Sequence, residues 1–192
     1  MAKDAYTGFN ELTKHEKVDT DYLIAISDVG SAVTIVAPHG GKIEPGTSEI
    51  ARRIASDTYN CYCFRGIKKS NNSRLHITSH NFDEPAALKL ISTSDIVIAI
   101  HACTGTAGLV YLGGLDTPLK KSIAAELQAR GIAVSMKDSR YKGVNPDNIC
   151  NRGRTGKGVQ LEITRDLRDD PTQKEIIAEA VRASLIFNHT DA

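Results

Sequence analysis

Short apolar segments alternate with amphipathic ones from about residue 22 to the end of the chain. The apolar segments are four or five residues long and mostly rich in β-branched residues, as buried strands are. Between them, apolar residues recur on one face of predicted helices. This alternation predicts an α/β fold, with one open, mixed, mainly parallel sheet flanked by helices, in a single domain of residues 1–192. The predicted strands are 23–26, 33–37, 61–64, 96–100, 132–136 and 159–163, and the predicted helices begin near Thr47, Pro85, Thr117 and Thr172.

The predicted strand 159–163 carries a glutamate on its polar face. Apolar and polar residues alternate strictly along it, which predicts one apolar face and one polar face that includes Glu162. A glutamate in the middle of a strand is unusual unless its face is wet, paired or functional. Near a metal, Glu162 would take a proton from water and return it to a leaving amine. The alternative is an ordinary surface residue on an edge strand.

Two histidines follow buried strands directly. His39 comes after the strand that begins at residue 33, and His101 after the strand that begins at residue 96. The carboxyl ends of parallel strands meet at one edge of a sheet, and neighbouring strands lie ~4.8 Å apart, so both imidazoles can reach one ion. Glu44 follows His39 across a Gly-Gly turn. Two imidazoles, one carboxylate and an open fourth position are the ligands of a catalytic zinc.

Composition and charge narrow the classes of partner. Hydrophobic residues make up 41% and charged residues 24% of the 192 residues, and the net charge is +1. That balance favours neither nucleic acid nor a membrane surface as partner. No apolar run approaches ~18–20 residues, and the first twenty residues lack a secretory signal, so we expect synthesis in the cytoplasm. We expect the four cysteines to be reduced, partly buried thiols rather than disulfides or zinc ligands.

Several segments together resemble the poly-γ-glutamate hydrolase family, known mainly from Bacillus phages and Bacillus genomes. The segment Pro38–Ala51 resembles the opening signature of that family. Further matches occur in a consistent order over most of the chain, which makes a chance match improbable. These matches are Leu75–Ser79, Asn81–Pro85, Gly113–Asp116, Asn148–Arg152 and Gly158–Glu162.

The resemblance implies a fold similar to that of the zinc carboxypeptidases, one catalytic zinc, and hydrolysis of γ-glutamyl amide bonds in poly-γ-glutamate. It implies that His39 and Glu44 are the first two zinc ligands and that His101 is the third. Glu162 matches the carboxylate that acts as base and then as acid. The spacing from His39 to Glu44 is longer than the H-x-x-E spacing of the carboxypeptidases, so Glu49 is the alternative ligand.

An anionic polymer requires cationic or polar contacts. Arg152 and Arg154 precede the strand of Glu162 in a glycine-rich loop, and Arg65 is a further candidate for substrate binding. His76 lies in a predicted strand 74–78 and is either a supporting histidine or a substrate-binding one. His80 stands where the family pattern leads us to expect a small polar residue. The other candidate cations are Lys68, Lys69, Arg74, Arg140, Lys142 and Lys157.

Two other functions fit parts of the sequence. A zinc amidase for a small N-acyl-glutamate would use the same ligands but would need a closed pocket instead of an open groove. A non-enzymatic module that binds polyanions or nucleotides is the second alternative, and Gly105–Gly108 is its weak phosphate-loop signal. For the hydrolase, we expect a monomer that reaches its polymer outside the cell after lysis of the host.

Overall fold

Seven strands form one mixed sheet with helices on both faces in the computed structural model, which describes residues 4–187. The strands are β1 Tyr22–Ser27, β2 Val33–Gly41, β3 Asn60–Gly66, β4 Ile96–Ala102, β5 Leu109–Gly113, β6 Ala133–Ser135 and β7 Val159–Ile163. The helices are α1 Phe9–Leu12, α2 Thr47–Ala55, α3 Pro85–Ile91, α4 Thr117–Ala129, α5 Arg165–Asp169 and α6 Pro171–Phe187. Short 3₁₀ turns occupy Asn72–Leu75, Ser139–Tyr141 and Ile149–Asn151.

The strand order across the sheet is β1-β3-β2-β4-β7-β5-β6. Strands β3, β2, β4 and β7 are parallel neighbours, whereas β1 is antiparallel to β3 and β5 is antiparallel to β7. The predicted mixed, mainly parallel α/β sheet is therefore confirmed. The carboxyl ends of β2, β4 and β7 lie side by side at one edge of this sheet.

Alternation along the strands divides the interior into two cores. Residues such as Ile98, Ile100 and Leu161 face α2, α4 and α6, and this set is called the first core. Val97 and Ala99 face α1 and α3 on the opposite side, which is called the second core. His101 follows Ile100 along β4, and Glu162 follows Leu161 along β7. Since successive side chains alternate between the two faces of a sheet, His101 and Glu162 both project on the second-core side.

The structure differs from the sequence prediction at several elements. Strand β5 and helices α1 and α5 were not predicted. Residues 74–78 do not form a strand. Arg74 and Leu75 belong to a 3₁₀ turn, and Leu75 and Ile77 pack over the face of the sheet in the second core instead of pairing with a strand. Strand β7 lies between β4 and β5, so the edge-strand interpretation of Glu162 is wrong.

Other sequence predictions concern the cysteines and the extent of the chain. All four cysteines are free and buried, as predicted. Within residues 4–187, no helix is long and apolar enough to cross a membrane. The predicted domain of residues 1–192 extends beyond the described part of the chain by residues 1–3 and 188–192.

Candidate metal centre

Side chains from three segments converge at the carboxyl edge of β2 and β4. The Nδ1 atom of His39 lies 3.2 Å from Oε1 of Glu44 and 3.2 Å from Nδ1 of His101. The Nδ1 atom of His101 lies 3.8 Å from Oε2 of Glu44. One ligand atom from each of the three residues falls within 4.8 Å of the others, and both histidines are buried. We call this group the His-Glu-His cluster.

A β-bulge in β2 directs His39 into the cluster. Ala37 pairs with Cys63 and Gly40 pairs with Arg65, so β2 has one more residue between these pairs than β3 has. Simple alternation would place His39 on the first-core side with Ala37. The extra residue changes that direction, as bulges commonly do near functional sites. The ring of His39 consequently lies on the second-core side.

A tight turn after β2 brings Glu44 back to His39. The backbone N–H of Glu44 donates to the carbonyl oxygen of His39 at 2.8 Å. Gly41 has φ +64°, and a Cβ atom there would lie 2.5 Å from the carbonyl oxygen of Gly66. Only glycine satisfies both the positive φ and this close approach of two backbones.

Each histidine of the cluster is held by its other ring nitrogen. Nε2 of His39 donates to the carbonyl oxygen of Ile77 at 2.7 Å, and Nε2 of His101 lies 3.2 Å from Oγ of Ser79. Such partners fix the orientation of metal-binding imidazoles. Both partners belong to the segment that crosses the second-core face, so that segment sets the direction of the two Nδ1 atoms.

The hydrogen bonds of the cluster leave a position for one cation, a proton or a metal ion, between His39 and Glu44. The Ile77 carbonyl can only accept, so Nε2 of His39 carries a hydrogen and Nδ1 of the neutral ring presents a lone pair. That lone pair faces the carboxylate of Glu44, whose second oxygen already accepts from the N–H of Ala102 at 2.9 Å. Two acceptors that face each other at 3.2 Å need a proton or a metal ion between them.

The spacing agrees with a metal site, and without a metal a proton takes the position between His39 and Glu44. Burial opposes the charged form of each group, yet Glu44 raises the pKa of His39 and His39 lowers the pKa of Glu44. Burial lowers the pKa of His101 to about 3, which keeps its ring neutral and able to bind a metal. Ligands ~2.0–2.1 Å from a tetrahedral zinc are about 3.3 Å apart, close to the observed separations. The donor set therefore fits zinc.

Glu162 lies beside the cluster on the neighbouring strand. It pairs in register with His101, its side chain is half-buried, and its nearest hydrogen-bond partner is Nε2 of Gln160 at 3.5 Å. Burial, with a further contribution from the charge of Glu44, raises the pKa of Glu162 to about 8. The amide of Asn148 donates to Oε1 of Gln160 at 2.8 Å, which holds Gln160 in place. Glu162 is thus a carboxyl group with high proton affinity next to a potential metal site.

The cluster lies in a cleft of about 390 Å³ with cationic residues on its far wall. Arg140 and Lys142 come from the loop before β7, and His80 comes from the loop after Ser79. Arg140 is bound to both carboxylate oxygens of Asp138 at 3.0 and 2.6 Å, and the guanidinium lies over the ring of Tyr141. The cleft therefore combines a cluster of metal-binding type with positive charge.

A second cavity of about 430 Å³ adjoins the first on the other side of Glu44. Its lining includes Gly105 and Thr106 of the segment that resembles a phosphate loop, together with Arg165 and Arg168. The guanidinium of Arg168 is buried and donates to backbone carbonyl oxygens, among them that of Ile163 at 2.9 Å. The groove at this edge of the sheet therefore extends to both sides of Glu44.

Comparison with known proteins identifies the family. The sequence model described as poly-γ-glutamate hydrolase matches residues 6–183. The chain belongs to this family. The SPβ prophage-derived UPF0714 protein YoqZ of Bacillus subtilis strain 168 is 42% identical over 170 residues, which is 88% of this chain. The matched region covers 61% of YoqZ, so the chain spans less than two thirds of the length of that relative.

Two solved structures are similar to this member of the poly-γ-glutamate hydrolase family. A bacteriophage poly-γ-glutamate hydrolase is 32% identical with a TM-score of 0.94, over 98% of this chain and 99% of that one. The zinc-free apo form of YndL is 32% identical with a TM-score of 0.90, over 97% of this chain and 100% of that one. The family resemblance expected from the motifs is therefore confirmed.

Of Glu49 and His76, both predicted near the site, only His76 lines the cleft. The carboxylate of Glu49, the alternative ligand, pairs with Lys174 and is not part of the cluster. His76, from the segment wrongly predicted as a strand, stacks on His39 with ring centroids 4.0 Å apart and lines the cleft. Burial, with a contribution from His39, lowers the pKa of His76.

The three arginines predicted to bind substrate lie outside the cleft of this hydrolase family member. Arg154 pairs with Asp95, which precedes β4 at the opposite edge of the sheet. Arg152 donates to the carbonyl oxygen of Phe82 at 3.1 Å. Arg65 follows Cys63 onto the first-core side, away from the cluster. Arg140 and Lys142, which the sequence placed only among the other candidates, supply the charge instead.

Asp4 and Asn148 were not predicted as site residues, and neither was the role of Ser79. Ser79 and Asn148 lie within the matched family segments, so those segments were a signal for both. Asp4 contacts His76, 72 residues further along the chain, and no local pattern marks it.

Proposed function

We propose that this chain is a zinc-dependent hydrolase that cleaves the γ-glutamyl amide bonds of poly-γ-glutamate. The observation that carries the proposal is the His-Glu-His cluster with Glu162 in register beside His101. Three ligand atoms with the spacing of a zinc site and a nearby carboxyl group of raised pKa are the parts that amide hydrolysis needs. A zinc-free apo structure of the similar protein YndL has been solved, which supports zinc as the metal.

The residues of the chain divide the chemical work. Zinc, when bound by His39, Glu44 and His101, would polarise the scissile carbonyl and make water a better nucleophile near neutral pH. Glu162 takes the proton from that water and delivers it to the nitrogen of the leaving amine. Without metal its pKa is about 8, and the charge of a bound cation would lower that pKa, so that the carboxylate is available as a base near neutral pH.

The substrate proposal rests on the charge of the cleft. Poly-γ-glutamate carries one free carboxylate on each residue, because its amide bonds use the γ-carboxyl group. Arg140 and Lys142 line the cleft together with the cluster and would bind such carboxylates, Arg140 through the guanidinium N–H groups that Asp138 leaves free. Arg165 and Arg168 line the adjoining cavity on the other side of Glu44. Asp169, the partner of Arg165, also lines that cavity, so Arg140 and Lys142 are the main cationic contacts for an anionic chain.

Metal analysis combined with a polymer-shortening assay tests the proposal. Protein purified without added metal should contain close to one zinc per chain and should shorten poly-γ-glutamate. His39→Ala and His101→Ala should lose both zinc and activity. Glu162→Gln should keep zinc and lose activity by about 10²–10⁴-fold. Glu179→Gln, the same change at an exposed position on α6, is the control. Near-full activity of Glu162→Gln would contradict the proton-transfer role.

The two alternative functions give different outcomes in the same experiment. A zinc amidase for small N-acyl-glutamates would cleave the small amide and leave the polymer at full length. A non-enzymatic binding module would retain the polymer without cleaving it, would lack zinc, and would be unaffected by Glu162→Gln. Monomeric state and action outside the cell after host lysis stay predictions. Size-exclusion chromatography and activity in lysate medium are the respective measurements.

A further inference from the structure

The N-terminal segment contributes a carboxylate to the wall of the cleft. Oδ1 of Asp4 accepts a hydrogen bond from Nδ1 of His76 at 2.8 Å, and Oδ2 accepts from the backbone N–H of Thr78 at 2.6 Å. The side chain of Asp4 is only 13% exposed. One carboxylate therefore holds both the ring of His76 and the backbone two residues later. The next residue is Ser79, which contacts His101.

This contact decides which nitrogen of His76 faces the cluster. A carboxylate only accepts hydrogen bonds, so Nδ1 of His76 carries the hydrogen. The opposite nitrogen, Nε2, lies 4.0 Å from Oε1 of Glu44. The ring lies against that of His39, with the centroids 4.0 Å apart and an interplanar angle of 31°. The neutral ring consequently presents the lone pair of Nε2 to the cleft.

An acceptor at this point complements the rest of the cleft. Arg140 and Lys142 can only donate hydrogen bonds, so they suit carboxylates and carbonyls. A polyamide substrate also brings one N–H for each residue, and a buried N–H without an acceptor weakens binding. Oε1 of Gln160, another acceptor in the cleft, is already bound by Asn148. Nε2 of His76 has no such partner among the described side chains and lies 4.0 Å from Oε1 of Glu44, a member of the cluster.

We propose that Asp4 is a positioning residue that holds His76 in the Nδ1–H tautomer, so that Nε2 accepts a hydrogen bond from an amide N–H of the substrate. The proposal rests on the proposed function, because it takes a polyamide as the substrate. It concerns a residue that precedes the region matched by the family model, which begins at residue 6. The contact itself depends only on described atoms of Asp4, His76 and Thr78.

Nitrogen-15 NMR of the histidine rings tests the tautomer without any need for catalysis. Long-range ¹H–¹⁵N spectra of the full-length protein, with the His76 signal assigned from His76→Phe, should show the Nδ1–H form. Asp4→Asn should change that signal towards a mixture of tautomers, because the amide group offers a single acceptor oxygen to His76 and Thr78. Asp57→Asn, at an exposed position, is the control and should leave the signal unchanged. An Nε2–H tautomer in the wild-type protein would overturn the proposal.

Kinetics on poly-γ-glutamate test the role of the tautomer. Asp4→Asn should raise KM about twofold, because a mixture of tautomers leaves only part of the population able to accept the hydrogen bond, with a smaller change in kcat and an unchanged zinc content. His76→Phe keeps the ring contact with His39 but removes the acceptor completely, and it should raise KM about three- to tenfold, the worth of one hydrogen bond. The double variant should be no worse than His76→Phe alone, because both substitutions act on the same contact.

The outcomes separate this proposal from the proposed function. If the wild-type protein holds no zinc and cleaves no polymer, the proposed function fails, whereas the NMR spectrum still reports the tautomer. If the wild-type protein is an active hydrolase but His76→Phe leaves KM unchanged, the substrate contact of His76 is refuted. His76→Phe keeps Asp4 and Thr78 in contact, so it covers the case in which Asp4→Asn fails to fold.

Discussion

The glutamate beside the metal cluster should make the metal-free protein less stable as pH rises. Burial of Glu162, assisted by the charge of Glu44, raises its pKa from 4.5 to about 8. A carboxyl group whose pKa is higher in the folded state binds its proton more tightly there. Glu162 therefore leaves the free energy of unfolding unchanged below about pH 4 and lowers it progressively as pH rises from about 4 to about 8. Above that pH the loss is constant.

The magnitude follows from the two pKa values. Each pH unit between them corresponds to about 1.36 kcal/mol of unfolding free energy, which sets an upper limit of about 5 kcal/mol at pH 9. The side chain is half-buried, so solvent screening reduces this figure, and we expect about 2–4 kcal/mol. Glu162→Gln removes the charge while it keeps the shape. The variant should therefore match the wild-type protein at pH 4 and exceed its stability by that amount at pH 9.

Urea denaturation at several pH values, in the presence of a chelator, measures this difference. Glu179→Gln, at an exposed position, should follow the wild-type profile throughout. Added zinc should shrink the difference between Glu162→Gln and the wild-type protein, because a nearby cation favours the carboxylate. If the wild-type and Glu162→Gln profiles stay parallel from pH 4 to pH 9 without metal, the reasoning about burial of this carboxyl group is wrong.

Three further predictions concern the surroundings of the cluster. Ser79→Ala removes the hydrogen-bond partner of His101 and should weaken zinc affinity about 10–100-fold, measured by chelator competition. Gly143→Ala should lower activity, and it should lower the free energy of unfolding by about 1–3 kcal/mol. Residue 143 has φ +57°, and a Cβ atom there would lie 2.6 Å from Oε1 of Gln160. Unchanged melting and activity would contradict this close contact. Arg140→Gln should raise KM for the polymer several-fold, whereas Arg154→Gln, at the opposite edge of the sheet, should leave KM unchanged. Equal effects of the two arginine variants would refute the position assigned to the substrate.

Local patterns accounted for most of the strands and for part of the site. The predicted segments 33–37, 96–100 and 159–163 lie within β2, β4 and β7, because hydrophobic periodicity is a property of neighbouring residues. The same periodicity placed Glu162 on the polar face of its strand. The predicted strand 74–78 failed because Leu75 and Ile77 are buried over the face of the sheet, and burial alone does not distinguish that position from a place within the sheet.

The positions of the arginines were predictable from the sequence only in part. Arg154 precedes β7, and the residues before a parallel strand lie at its amino end, whereas His39 and His101 belong to the carboxyl ends of their strands. Strand direction alone therefore argued against Arg154. Arg140 also precedes β7, but its loop passes over the cleft, a path that only the packing of the loop determines.

By itself, the sequence determined the fold class, the family, and the presence of His39, Glu44, His101 and Glu162 near strand ends. Only the tertiary structure decided how these groups meet. The bulge in β2 sets the direction of His39, the pairing of β4 with β7 brings Glu162 beside His101, and Asp4 reaches His76 from 72 residues earlier in the chain. The physical reason is that hydrophobic periodicity is local, whereas the direction of a buried polar side chain depends on hydrogen-bond partners far away in sequence.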